Sequence, residues 1–553
     1  MRTVTFLYPV YSFTTSSKFK EKAWLIICEI LRVSVSSNHN SALRDVTFIS
    51  MNLKTVCYAI FLVLFVSCTT EKKPKGEVLY ETYCASCHKA PDIKDLPKDI
   101  WENNVLPAMA ARMGIISAEN HPYHKLPFPE QTAILKTGIY PYKPIIDLKD
   151  WELLKKYIID LAPDRIPNNT NSINSSPLTQ FNSEPITLDS AKGSYYTFLK
   201  IDTTDNSILT GSRYGELTAY DLKSKKNNLV GYFDKAITDA RILGDSIYVT
   251  NMGVMDPNEI PRGKTVLRSG DATAILQDSL HRPVQTLYVD LDKNGTEEIL
   301  ISEFGDLTGK LNLLEKDSYG FYKERTLLNL PGTLRVIPKD MNKDGKEDLV
   351  VLVAQGDEAI YIFYQKENLT FDVDKVLRFS PVYGSSWFEL VDYNGDGYDD
   401  IITVNGDNAD KSFVNKPYHG MRIHLNDGQN NFKETYFHPL NGATRVIAKD
   451  FDQDGDLDMA LLATFPDYEN HPEYNFVYLE NLDSKNYTFK QQHLANTKMA
   501  RWFLMDAGDI DDDGDVDIVL SALSYSFTPV PEELEEAWSE SYTDLLLLEN
   551  TLH

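Results

Sequence analysis

One nine-residue pattern recurs five times in the second half of the chain, and it constrains the fold more than any other feature. The copies are Asp290-Leu-Asp292-Lys-Asn294-Gly295-Thr-Glu-Glu298, Asp340-Met-Asn342-Lys-Asp344-Gly345-Lys-Glu-Asp348, Asp392-Tyr-Asn394-Gly-Asp396-Gly397-Tyr-Asp-Asp400, Asp450-Phe-Asp452-Gln-Asp454-Gly455-Asp-Leu-Asp458 and Asp509-Ile-Asp511-Asp-Asp513-Gly514-Asp-Val-Asp517. Their starts lie 50, 52, 58 and 59 residues apart. Acidic composition alone does not give five copies at so regular a period, and a period of this length belongs to solenoids and propellers. Each copy is followed by an apolar, β-branched run such as Leu349-Val350-Val351 or Ile518-Val519-Leu520. Another apolar stretch precedes it, as at Thr333–Ile337 and Ala443–Ile447. The unit reads strand, acidic turn, strand and a further strand pair, which is the size of a propeller blade. Residues 186–553 number 368, or seven units of about 53. Seven blades are expected, with six or eight left open. The first two units, around 193–225 and 236–280, keep strand-like runs but lack the acidic turn.

The turns carry carboxylate or amide oxygens at positions 1, 3, 5 and 9 around a glycine at position 6. Alternate residues of a tight turn point inward, and hard oxygen donors at that spacing suit Ca²⁺, as in a shortened EF-hand loop. A solvated acidic turn would not keep these residue types at the same four positions in every copy. Asp290, Asp292, Asn294 and Glu298 and their equivalents in the other copies are therefore the candidate calcium ligands. The loops starting at 450 and 509 carry four carboxylates at these positions and are expected to bind most tightly. The role is structural rather than catalytic. The repeat resembles the VCBS/FG-GAP family, which implies a β-propeller with cation-binding loops over about two-thirds of the chain. Arg335 and Arg445 stand five residues before their loops, with Trp387 at the matching offset and Arg501 nearby. They could ring the central channel and hold an anionic group, or be ordinary satisfied strand residues.

All five cysteines (Cys28, Cys57, Cys68, Cys84 and Cys87) precede the repeats, and none occurs in the 466 residues after Cys87. Cys84-Ala85-Ser86-Cys87-His88 is a C-x-x-C-H motif, the pattern for covalent haem attachment. Two thiols one helical turn apart can reach the two vinyl groups of a haem, and the next residue then falls under the iron as proximal ligand. Zinc would want a second Cys/His pair, and no further cysteine exists. Gly76-x-x-Leu79-Tyr80 precedes the motif. Residues 148–161 form an amphipathic helix with an apolar stripe of Leu148, Trp151, Leu154, Tyr157, Ile158 and Leu161, ended by Pro163. Residues 76–165 resemble a class I cytochrome c. The resemblance implies an all-α domain with one covalent haem, held by Cys84, Cys87 and His88 and usually by a methionine as sixth ligand. Met109 and Met113, on a helix expected over 101–114, are the candidates; His121 and His124 are alternatives. The family's usual methionine position, before the last helix, reads Tyr140-Pro141-Tyr142.

Residues 56–66 are an apolar run of 11, preceded by Lys54 and followed by Ser67-Cys68. The run is too short to span a bilayer and has the length of a signal-peptide core. Phe65-Val66-Ser67-Cys68 resembles a bacterial lipobox, which implies lipidation of Cys68. The expected organisation is an N-terminal extension 1–50, a lipoprotein signal peptide 51–67, a tether 68–75, the cytochrome c domain 76–165, an Asn/Ser/Pro-rich linker 166–185 and the propeller 186–553. The expected location is outside the cytoplasm, lipid-anchored to a bacterial membrane.

A net charge of −26, from 81 acids and 55 bases, argues against nucleic acid as a partner. The reading is a membrane-tethered c-type cytochrome that transfers electrons to a redox partner protein or terminal acceptor. Its calcium-stabilised propeller serves as a docking or ligand-binding platform, with a glycan or protein as its ligand. An electron carrier is favoured over a substrate-converting enzyme. Two alternatives stand beside it: a propeller-based quinone- or substrate-dependent oxidoreductase that feeds the haem, and an adhesion or glycan-binding module with a sensory haem.

Overall fold

The computed structural model describes residues 73–117, 121–167, 174–407, 412–525 and 528–552. The signal peptide, Cys68 and the first residues of the tether lie outside the described residues. No helix of the described residues is long and apolar enough to cross a membrane.

Residues 75–161 form a helical unit. Helix Lys75–Leu79 runs on into a wider π turn, Tyr80–Cys84. It crosses the final helix, Leu148–Leu161, where Gly76 meets Tyr157: a Cβ on Gly76 would fall 2.5 Å from the Tyr157 Cβ. Only a residue without a side chain allows that approach. Asp147 caps the final helix by accepting from the Lys149 N–H at 2.8 Å. The buried stripe of this helix is narrower than its periodicity implies. Trp151, Leu154 and Ile158 are buried, Tyr157 is half-buried and Leu148 and Leu161 are exposed. The single helix expected over 101–114 is split into a π turn, Trp101–Val105, and an α-helix, Leu106–Arg112. Pro107 has no N–H to give the carbonyl of Asn103, so the turn before it opens.

The rest of the chain folds into seven four-stranded antiparallel sheets, one of which carries a fifth strand. The first strands of the sheets (Tyr196–Asp202, Ile237–Leu243, Pro283–Val289, Thr333–Lys339, Ser385–Val391, Ala443–Lys449 and Trp502–Gly508) adjoin one another in sequence order, and the last returns to the first. They are the innermost strands of a closed seven-bladed β-propeller. The second strands, including Asp348–Val353, Asp458–Ala463 and Asp517–Ala522, are buried along their whole length. In the first two blades the inner strand turns directly into the second through 203–206 and 244–245, with no room for an acidic loop.

The stretch read as a linker is partly sheet. Phe181–Ile186 pairs antiparallel with Leu545–Asn550, from Phe181 opposite Asn550 to Ile186 opposite Leu545, and closes the ring. Ser175–Pro177 adds a parallel fifth strand against Gln491–His493. The propeller thus begins before residue 186. Pro177 and Pro185 conceal these strands in the sequence, yet an outermost strand tolerates proline because its outward edge needs no N–H.

The helical unit bears on one end of the propeller. Val382, Tyr383 and Tyr418 join its apolar core, and the Tyr418 hydroxyl donates to the Asp95 carbonyl at 2.9 Å. These residues lie in the loops that enter the innermost strand and the third strand of the fifth blade, opposite the acidic turns.

Candidate functional site: acidic turns and the Cys-x-x-Cys-His turn

The acidic turns join the first and second strands of five blades. The loop at 450 illustrates their construction. Asp450 accepts from the N–H of Asp454 (3.1 Å) and of Gly455 (3.0 Å), and Asp452 and Asp454 accept from the N–H two residues ahead of each. Position 4 is left-handed in all five turns, at Lys293, Lys343, Gly395, Gln453 and Asp512, and the glycine at position 6 has φ between 84° and 98°. Two positive-φ residues in three make the sharp bend that gathers the carboxylates.

Carboxylate oxygens of positions 1, 3 and 9 come within 4.8 Å of one another in three turns: Asp290, Asp292 and Glu298; Asp450, Asp452 and Asp458; and Asp509, Asp511 and Asp517. In the turns at 340 and 392 position 3 is Asn342 and Asn394, so that corner offers an amide oxygen instead. Position 9 also has a second task that the motif does not reveal. It opens the buried second strand and ties the turn to the end of the third. Asp458 accepts from the N–H of Phe451 (3.1 Å) and Asn481 (2.7 Å), and Asp517 from Ile510 (3.1 Å) and Asn550 (2.8 Å). Asp400 does the same with Tyr393 and Asn426, and Asp348 with Met341 and Gln365. Burial pushes Asp400 up to about 6 and Asp458 and Asp517 up to about 7, against the pull of these hydrogen bonds and with help from neighbouring aspartates. A set of all-oxygen donors whose mutual repulsion is unrelieved is chemically matched to a hard divalent cation.

Two further acids were missed. Asp456 and Asp515 occupy position 7 of the last two turns, and one oxygen of each is buried with no hydrogen-bond partner among the described residues. Asp515 is 1% exposed. The signal was present, as an aspartate directly after the motif glycine in these two copies alone.

In the helical unit, Cys84 ends the π turn and is half-buried, while Cys87 is exposed. Burial pushes the Cys84 thiol up to about 12. The His88 Nδ1–H donates to the Lys89 carbonyl at 2.9 Å, which leaves Nε2 with its lone pair. Met113, at the end of the Leu106–Arg112 helix, is buried in the unit's apolar core; Cys84 and Met109 border the same core. His121 turns its Nδ1 inward to accept from the N–H of Tyr123 and His124. Two thiols, an imidazole with a free Nε2 and thioethers beside one apolar cluster fit the donor set of a covalently attached haem.

The strand order and the repeated turns define the class: a seven-bladed β-propeller built with FG-GAP-like repeats. A family model, "FG-GAP-like repeat", matches residues 340–403, which include the turns at 340 and 392. No curated protein matches the chain. Among solved structures, the N-terminal domain of Nup159 aligns with TM-score 0.37 and 10% identity, covering 68% of this chain and 97% of its own. The Neurospora crassa Pan2 WD40 domain aligns with TM-score 0.40 and 10% identity, covering 68% and 99%. These likenesses carry no argument about function.

Proposed function

We propose that the chain is an electron-transfer protein, with one haem attached through Cys84 and Cys87, His88 as proximal ligand and Met113 or Met109 as sixth ligand. The observation that carries the reading is the Cys84–His88 turn, in which the Lys89 carbonyl holds the imidazole in the tautomer that leaves Nε2 for a metal. The haem, when bound, supplies one-electron redox chemistry. Cys84 and Cys87 would fix the group covalently beside the apolar core that contains Leu79, Trp151 and Leu154, and the Lys89 carbonyl orients the His88 imidazole. Calcium in the five acidic turns would neutralise their clustered charge and stabilise the propeller, which serves as a platform for a redox partner or a glycan or protein ligand. A lipid on Cys68 would hold the protein to a bacterial membrane outside the cytoplasm.

The test is expression in a host with c-type cytochrome maturation. The expected outcome is a mass increment of one haem, a visible α-band on reduction, and loss of both in the Cys84→Ala/Cys87→Ala variant. A mature protein without porphyrin would end the redox reading.

A further inference from the structure

Arg335, Trp387 and Arg445 are the third residues of the innermost strands of three consecutive blades. The guanidinium carbons of Arg335 and Arg445 lie 3.9 and 4.3 Å from the centroid of the Trp387 ring. Two residues from blades two apart meet on one indole only where the inner strands converge, so this cluster lies at the central channel. The two arginines are not equivalent. Arg335 has a carboxylate partner: its Nη2 donates to both oxygens of Glu389 at 3.1 and 3.2 Å, and Glu389 also accepts from the Trp387 Nε1–H at 3.0 Å. Arg445 has no such partner. Among the described residues its one hydrogen bond is to the Thr444 carbonyl at 2.9 Å, and Asp407 acts on it through space. Burial first, and the charge of Arg335 second, pull its pKa down to about 10. Arg501, expected in the same ring, is instead buried among Thr464, Tyr525 and Thr528 and plays no part.

We propose that Arg445, backed by the face of Trp387, anchors a site for a small organic monocarboxylate in the mouth of the central channel. Arg445 is half-buried as a residue, and the N–H groups it does not spend on Thr444 have no hydrogen-bond partner among the described residues. A planar fork of donors matches a carboxylate bidentately. One cation lacking a directly bonded counter-charge calls for one negative charge, and the indole offers an apolar wall for the body of the ligand. A dianion such as phosphate would meet Glu389 and Asp407 with its second charge. The site lies two residues, or about 7 Å, inside the end of the propeller on which the helical unit bears. A ligand entering from that end would pass beneath Tyr383 and Tyr418. The inference is independent of the haem.

Titration calorimetry on the full chain with acetate, butyrate and benzoate, beside acetamide and inorganic phosphate, tests it. At least one carboxylate is expected to bind saturably and acetamide not at all. Arg445→Gln should weaken the carboxylate at least about tenfold, and Arg445→Lys, which keeps the charge and loses the fork, should fall between. Because Arg445 holds no carboxylate, Arg445→Gln should unfold no lower than the parent, whereas Arg335→Gln strands Glu389 and should unfold lower. The proposal is overturned if no carboxylate binds at millimolar concentration, or if phosphate binds as well as the carboxylates. It is also overturned if Arg445→Gln lowers the unfolding temperature and leaves carboxylate affinity unchanged; Arg445 would then be a structural partner of Trp387.

Discussion

The helical unit and the propeller treat apolar surface differently. Among the described residues, nine large apolar side chains stand exposed in 73–167, including Phe128 at 80% and Tyr142 at 90%, against thirteen in 174–552, a stretch roughly four times as long. A propeller blade covers each face with the next blade, and the ring leaves no blade uncovered. A helical unit this small cannot cover its own apolar side chains. The difference teaches that the blades of the propeller cover one another, while the helices leave more apolar side chain in solvent for their length. Substitutions that act on one region and spare the other test that division.

The largest effect is expected in the propeller. Asp517 is 1% exposed and satisfies the N–H groups of both Ile510 and Asn550. Asp517→Ala strands two buried donors and should cost about 3 kcal/mol. The midpoint of urea unfolding followed by propeller tryptophan fluorescence checks this, and hydrogen exchange within 75–84 and 148–161 should be unchanged. A loss below about 0.5 kcal/mol would mean that the carboxylate is not the clamp of its blade.

The helical side is broken by Gly76→Val. The new side chain meets Tyr157 where a Cβ alone would be 2.5 Å away, so the first and last helices must part. A cost of about 2 kcal/mol is expected, confined to the helical unit. Hydrogen exchange should report it as faster exchange in 75–84 and 148–161, with the blades unaffected.

Much of this division was legible in the sequence. The repeat period counted the blades correctly, and the glycine of the motif marked a positive-φ bend because only the backbone geometry of that turn demands it. The closing strand was hidden because Asn182, Ser183 and Pro185 read as linker, and their pairing with Leu545–Asn550 is long-range. The clamp at position 9 was hidden for a similar reason. Its partners, Gln365, Asn426, Asn481 and Asn550, sit 17 to 33 residues further on, at the ends of third strands. Local spacing carries turn chemistry but not the identity of a distant N–H.

A smaller effect should come from pH, in protein stripped of divalent cations. Asp458 and Asp517 stand at about 7, above the ordinary carboxylate value, because burial favours their neutral form. A raised folded-state pKa gives a contribution that is complete below the unfolded value and lost as pH rises through 7. Cation-free protein should therefore gain on the order of 1 kcal/mol from pH 8 to pH 6.5. At the lower end of that window the gain is partly offset, because buried His424 and His438, held down near 3 and 4 by burial, begin to lose stability as pH falls through the ordinary imidazole value. With calcium present the slope should flatten or reverse, because protons then compete with the cation. Thermal unfolding at the two pH values, with EGTA and with calcium, measures both slopes. The same slope in both media would argue against cation binding at these turns.

The smallest effect is the most discriminating, because its sign should change. Asp515 has one oxygen on the Leu552 N–H at 3.3 Å and the other buried with no hydrogen-bond partner among the described residues, beside Asp511 and Asp513. In a merely solvated acidic turn, Asp515→Asn would remove a repelled buried charge, and the protein would be slightly more stable in every buffer. In a turn that holds a cation, the same substitution withdraws a ligand or a neutralising charge. Asp515→Asn should thus raise the unfolding temperature in EGTA by a degree or two, about 0.5 kcal/mol, and lower it relative to the parent in calcium. The parallel variant Asp456→Asn should behave likewise. Lys346, which stands at position 7 of the turn at 340, offers the control. Its ammonium is engaged by Glu367, so Lys346→Asn should shift both media together.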